Sequence, residues 1–182
     1  MIWRWRRPSL RWSILTGAPA GDAGLAWGDT WFAGDLADAL RRLGQSVVVV
    51  PGLEGKTPTC EDDDVVVVLR GSRRFKRRKG RAVWLLWVIS HPHRVTREEM
   101  ASYDRVFAAS TTWKPRDVDI VPLLQASNPA RFNPGRAVPG TGETVLFVGS
   151  TRTHYKLNRP IVKAALDHGV EGHVAGLQRL RQ

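Results

Sequence analysis

The chain predicts an α/β fold built on a parallel sheet, and three observations carry that expectation. The stretch from Arg11 to Gly44, RWSILTGAPAGDAGLAWGDTWFAGDLADALRRLG, passes from an apolar strand end through a glycine-punctuated loop into an amphipathic helix. Continuous β-branched runs follow at Val47–Val50 and Val65–Val68. Such runs suit parallel strands covered on both faces. Three further apolar segments, Val83–Ile89, Arg105–Ala109 and Val118–Leu123, then recur between polar connections.

The opening unit sets the pattern. Ser13–Thr16 is the strand end, and Gly17, Gly21, Gly24 and Gly28 punctuate the loop. Asp29 is placed to cap the helix, because its carboxylate can accept from free N–H groups two or three residues on. Phe32, Leu36, Leu40 and Leu43 recur at helical spacing, and Gly44 suits the C′ position, where a left-handed residue ends a helix. The glycine spacing is neither G-x-G-x-x-G nor a Walker A loop. Gly55-Lys56-Thr57 resembles the tail of a P-loop, but the first glycine of that motif falls on Val50. Pro58 and an acidic run also follow where a helix should begin.

Later elements follow in order. A helix starts near Thr96 and runs to about Tyr103, with Thr96-Arg97-Glu98-Glu99 spelling a capping box. Residues 127–142 are rich in Pro, Gly, Asn and Arg and read as a linker. Beyond it, Glu143–Ser150 forms a new strand running into a glycine turn, a helix spans about 159–168, and Val170–Val174 forms a short strand. The expected organisation is an extension over 1–10, a first domain over 11–126, the linker, and an incomplete second domain over 143–182.

Composition narrows the function classes. Hydrophobic residues are 42% and charged residues 25%, a globular rather than a disordered balance. No apolar run is long enough to span a bilayer, no secretory signal is recognisable, and a lone Cys60 fits a reducing cytoplasm. Net charge is +11, which favours anionic partners. Much of it lies in MIWRWRRPSLRW and in the run Arg70–Arg81. The first segment alternates Trp and Arg, residues at home on a membrane interface, and reads mainly as a mobile extension. The second has one interleaved aromatic, Phe75, and lacks the spaced stacking residues of a single-strand platform, so it reads by default as a solvated basic loop.

In order, the chain shows a glycine loop with W-G-D-T-x-F, a helix ending L-R-R-L-G, then V-V-V-V-L-R-G, L-L-W-V-I-S-H-P, Y-D-R-V-F-A-A-S, L-L-Q-A-S-N-P-A-R-F and V-L-F-V-G-S-x-R. This order resembles bacterial GT-B glycosyltransferases, in particular the CgeB-like spore-protein group close to glycosyltransferase family 4. The resemblance covers about residues 12–166. It implies a Rossmann-like acceptor-side domain facing a second, donor-binding Rossmann-like domain, of which only the beginning is present here. It also implies transfer of a sugar from a nucleoside-diphosphate sugar to a hydroxyl acceptor without metal or cofactor. Motifs that hold the nucleoside and sugar in the second domain are missing, which leaves autonomous catalysis by this chain in question.

Candidate site residues follow from strand ends, since open α/β sheets bind ligands beyond the carboxyl ends of their strands. His91, after the fourth strand, and Asp29 are the candidates for proton transfer; a turn-orienting role for His91 and a capping role for Asp29 are the alternatives. Gly17, Gly21 and Gly28, with Ser110, Gln125 and Asn128, are candidates for binding the acceptor; Thr111 belongs with them. By the resemblance, Gly149 and Arg152 lie by the donor diphosphate. His91 and His93 have no third ligand of convincing spacing, so no metal is expected. Two other functions compete: a basic α/β nucleic-acid-binding module acting through Arg73–Arg81, and a non-catalytic partner whose unfinished second domain docks on another chain.

Overall fold

The computed structural model describes residues 8–52 and 62–136, the segments 145–148 and 172–175, and residue 167. The chain divides into two compact units, Met1–Asn128 and Pro129–Gln182. Residues 1–7, Gly55-Lys56-Thr57, Cys60, Gly149, Arg152 and, apart from residue 167, the expected helix near 159–168 lie outside the described residues.

The first unit carries six parallel strands: β1 (Arg11–Thr16), β2 (Ser46–Pro51), β3 (Val65–Arg70), β4 (Val83–Val88), β5 (Arg105–Ala108) and β6 (Ile120–Pro122). Their spatial order is β2-β1-β3-β4-β5-β6. The fold is therefore α/β and Rossmann-like. One row of the register crosses the whole sheet, Val50–Leu15–Val68–Leu86–Val106–Ile120. All six side chains lie in or against one apolar cluster. Leu15, Val68 and Leu86 are fully buried there, each stabilising by about 1.5–3 kcal/mol.

The chain leaves β1 in one direction to make β2 and later builds β3, β4 and β5 in the other. Right-handed crossovers then put the connections on opposite faces of the sheet. On one face lies α2 (Gly28–Arg42), whose Phe32, Ala33, Leu36, Ala37 and Leu40 pack on Ile14, Val67, Leu69 and Trp87. The Phe32 ring meets Trp87 edge-on at 5.2 Å. On the other face lie α3 (Arg97–Ala101) and the basic segment between β3 and β4.

That segment corrects one expectation. It is a covering layer as much as a solvated loop: Phe75 is 3% exposed in the core, and the Tyr103 hydroxyl donates to the Phe75 carbonyl at 2.6 Å. Arg77 pairs with Asp104 at 3.0 Å, and Arg81 lies 3.7 Å from Asp64. Phe75 is thus packed where a nucleic-acid platform would need it free.

Other expectations need adjusting. The β-branched run of β2 is not covered on both faces, because the strand order puts it at the sheet edge; Val47 is buried while Val48 is 58% exposed. The fully covered strand is β3, buried at every position. The long glycine loop holds a short helix, α1 (Asp22–Leu25). Asp29 does not cap α2: Trp27 occupies the N-cap with no side-chain bond, and Asp29 lies in the first turn. Leu43 is exposed rather than on the packed face. Gly44 does end the helix, with φ +82, while the amides of Gly44 and Gln45 donate to the carbonyls of Arg41 and Leu40. These are the two bonds of a Schellman turn.

In the second unit, β7 (Val145–Val148) and β8 (Gly172–Ala175) pair in parallel.

Candidate functional site

Because all six strands run the same way, their carboxyl ends share one edge. The strand order reverses between β1 and β3, where two neighbouring connections leave in opposite directions and open a crevice. Residues that follow β1, β3 and β4 line it.

Asp29 reaches this edge from the first turn of α2. Its carboxylate lies against Gly71, directly after β3; a Cβ on Gly71 would stand 2.8 Å from Asp29 Oδ2 and 3.4 Å from Ser90 Oγ. Glycine at 71 is therefore what lets Asp29 and Ser90 approach one another. Burial raises the Asp29 carboxyl above its usual range, and the charge of His91 pulls it back down. The half-buried Asp29 and His91 are thus electrostatic neighbours, brought from distant parts of the chain.

His91 is held in an unusual backbone state. Its φ and ψ are 51° and 47°, the left-handed region, at the N-cap of a 3-10 turn over Pro92–Arg94. A residue with a Cβ pays roughly 1–2 kcal/mol there, and such strain persists where the surroundings impose it. The ring Nδ1 lies 2.9 Å from Ser90 Oγ. In the tautomer that donates from Nδ1 to Ser90, Nε2 is the basic nitrogen of the ring.

The surroundings that impose this turn centre on a buried ion pair. Arg70, the last residue of β3, is 3% exposed and Glu99 of α3 is 1% exposed. Arg70 Nε donates to Glu99 Oε1 at 2.7 Å and its Nη2 to Oε2 at 3.3 Å. The same guanidinium donates to the Gly71 carbonyl at 2.6 Å and the Arg94 carbonyl at 3.2 Å. The amides of Ile89 and Ser90 in turn donate to the Arg70 carbonyl. One residue therefore ties both flanks of the His91 turn to the central strand. Thr96 caps α3 by accepting from the Glu99 amide at 3.2 Å, so half of the expected capping box forms; the Glu99 carboxylate goes to Arg70.

The remaining candidates are dispersed. Gly17 is buried after β1, against the stem of Arg73. Gly21 is exposed with φ +65, a conformation that favours glycine, and Gly28 is the exposed first residue of α2; a Cβ on either would meet nothing within 4 Å. The Ser110 hydroxyl accepts from the amides of Thr112 and Trp113, closing the turn after β5. Gln125 is exposed. The Asn128 amide donates to Asp35 of α2 at 2.9 Å. His93 is exposed, its ring 5.9 Å from that of His91. Among the described residues no group of three His, Cys, Asp or Glu converges on a point that could hold a metal.

Sequence reasoning passed over Gly71, Ser90, Arg70 and Glu99. One signal was available for Arg70: an arginine closing an otherwise apolar strand, VVVVLR, must find a buried partner or leave the sheet.

No protein-family model and no curated protein sequence matches the chain. A solved structure does match in fold, described as an alpha-glucosyltransferase in complex with UDP and a 13-mer DNA containing a central A:G mismatch. The TM-score is 0.59 over 94% of this chain, at 13% identity. The likeness is one of fold: the α/β, Rossmann-like architecture is shared with that glucosyltransferase. The chain spans 57% of that protein's length. Among the described residues no helix is long and apolar enough to cross a membrane.

Proposed function

We propose that this chain is the acceptor-side part of a GT-B glycosyltransferase that moves a sugar from a nucleoside diphosphate to a hydroxyl, within the CgeB-like group that its ordered motifs resemble. The observation that carries the reading is the meeting of Asp29, Ser90 and His91 at the carboxyl edge of β1, β3 and β4, beside the reversal of strand order. In this reading an acceptor hydroxyl lies against His91. Its oxygen bonds to the anomeric carbon of the donor sugar as the bond to the diphosphate breaks. His91 Nε2 takes the hydroxyl proton, and ionised Asp29 stabilises the imidazolium that results. Gly149 and Arg152 are assigned to the diphosphate, and neither metal nor cofactor takes part. The reaction is placed in the cytoplasm.

The match to a protein crystallised with UDP supports a nucleotide-sugar donor. The first test is calorimetric titration of the full chain with UDP and UDP-glucose, repeated on a version extended through a complete second domain. The second is sugar transfer by whichever form binds, with His91→Ala as the comparison. Binding with transfer lost by at least about a hundredfold in His91→Ala is expected. Absence of nucleotide binding by both forms sinks the proposal.

A further inference from the structure

Among the described residues, Arg73 differs from Arg70, Arg74, Arg77 and Arg81 of the same basic segment. Arg70 and Arg74 share Glu99, Arg77 has Asp104, and Arg81 has Asp64, each within 4.0 Å. Arg73 has no hydrogen bond or ion pair among the described residues. It is nonetheless half-buried. Its stem lies across β1: a Cβ on Gly17 would stand 3.2 Å from Arg73 Cβ and 3.3 Å from its Cγ. Its guanidinium reaches the end of β2, where a Cβ on Gly52 would stand 3.3 Å from Nη1 and 3.1 Å from the Thr16 carbonyl oxygen. Gly17 and Gly52 both have ordinary negative φ, so their backbones do not demand glycine. The close passage of this arginine and the crowded carbonyls do.

Holding an arginine stem in one place costs rotamer entropy, and no acidic side chain among the described residues offsets it. The stem starts beside the β1–β3 reversal and carries the charge over the carboxyl ends of β1 and β2, on the edge where open α/β sheets take ligands. A guanidinium presents its donors as a planar fork that matches carboxylate and phosphate oxygens.

We propose that Arg73 is an oxyanion-binding residue over the carboxyl ends of β1 and β2 and that the acceptor carries a phosphate or carboxylate group there. The second half of this statement rests on the transferase reading; the first does not. Inorganic phosphate and acetate are the probes. In nitrogen-15 NMR spectra of the full chain, added phosphate shifts the Arg73 side-chain Nε–H and the Gly17 and Gly71 amides together and saturably. Acetate does the same if the fork takes carboxylates. Arg73→Gln weakens this binding at least about tenfold. Arg73→Lys keeps the charge without the fork and falls between. Arg42→Gln removes the same charge from the opposite end of α2 and changes nothing at these amides. Absence of saturable shifts with either probe overturns the proposal, as does equal weakening by Arg73→Gln and Arg42→Gln.

The two readings separate cleanly. Phosphate binding at Arg73 in a chain that never engages a nucleotide removes the transferase and leaves the oxyanion site. Sugar transfer that Arg73→Gln leaves unchanged for phosphorylated and neutral acceptors alike overturns the charged acceptor and leaves the transferase.

Discussion

Glu99→Ala is expected to be the most damaging single substitution in the first unit, because it strands a buried charge. Arg70 is 3% exposed and Glu99 1% exposed, so the guanidinium cannot turn to water once its partner is gone. Two bonds vanish, at 2.7 and 3.3 Å; those to the Gly71 and Arg94 carbonyls remain. Arg74 Nε lies 3.8 Å from Glu99, but its side chain is 51% exposed, so that pair adds little. Removing one partner of a buried pair typically costs about 3–5 kcal/mol, against a total domain stability of about 5–15 kcal/mol. With a urea slope of about 2 kcal/mol/M for a domain of this size, the midpoint falls by about 2 M. The assay is tryptophan fluorescence in urea. All eight tryptophans lie in the first unit, with Trp84 and Trp87 in its core, so the signal reports that unit. Glu99→Gln loses less, since a neutral acceptor stays in place. The double change Arg70→Met/Glu99→Leu regains much of the loss, because no charge then remains buried. It falls short by the bonds to the two carbonyls. A Glu99→Ala midpoint within about 0.5 M of the parent chain would refute the view that this pair holds the edge together.

Three more outcomes follow from the site. Burial raises the Asp29 carboxyl, so its charged form opposes folding: that stability is present below the unfolded value of 3.8 and is lost as pH rises through the folded value. Asp29→Asn is therefore expected to be at least as stable as the parent at pH 7, with any gain disappearing below about pH 4, while transfer activity drops; stability curves at both pH values check this. At position 91 glycine should be more stable than alanine by about 1 kcal/mol, the reverse of the usual order, because of the left-handed backbone; comparing urea midpoints of His91→Gly and His91→Ala decides it. Tyr103→Phe removes the donor to the Phe75 carbonyl and should cost about 1–3 kcal/mol by leaving that oxygen unpaired, with faster amide hydrogen exchange over the segment between β3 and β4.

Much of the architecture was legible locally. Apolar runs marked all six strands of the sheet; for the inner strands this is because a strand buried by its neighbours must be apolar along its length. Thr96 and Gly44 marked helix ends through chemistry that acts within a few residues. The strand-end rule also placed His91 and Asp29 among the candidates. Local pattern misread Asp29 as a cap, since its carboxylate is drawn to a crevice built from residues far along the chain. It misread Glu99 in the same way: the spacing showed a capping box, and a buried arginine 29 residues away took the carboxylate.

The sequence by itself therefore determined the six strands, the main helix between β1 and β2 and their parallel class, because hydrophobic period and turn chemistry are short-range. Only the tertiary structure decided which run became the exposed edge strand, which cation of Arg70–Arg81 was buried, which was paired and which was carried over the ends of β1 and β2. Those outcomes depend on strand order and on contacts between distant segments. An arginine beside a glutamate in space and an arginine beside a glycine look alike in one dimension.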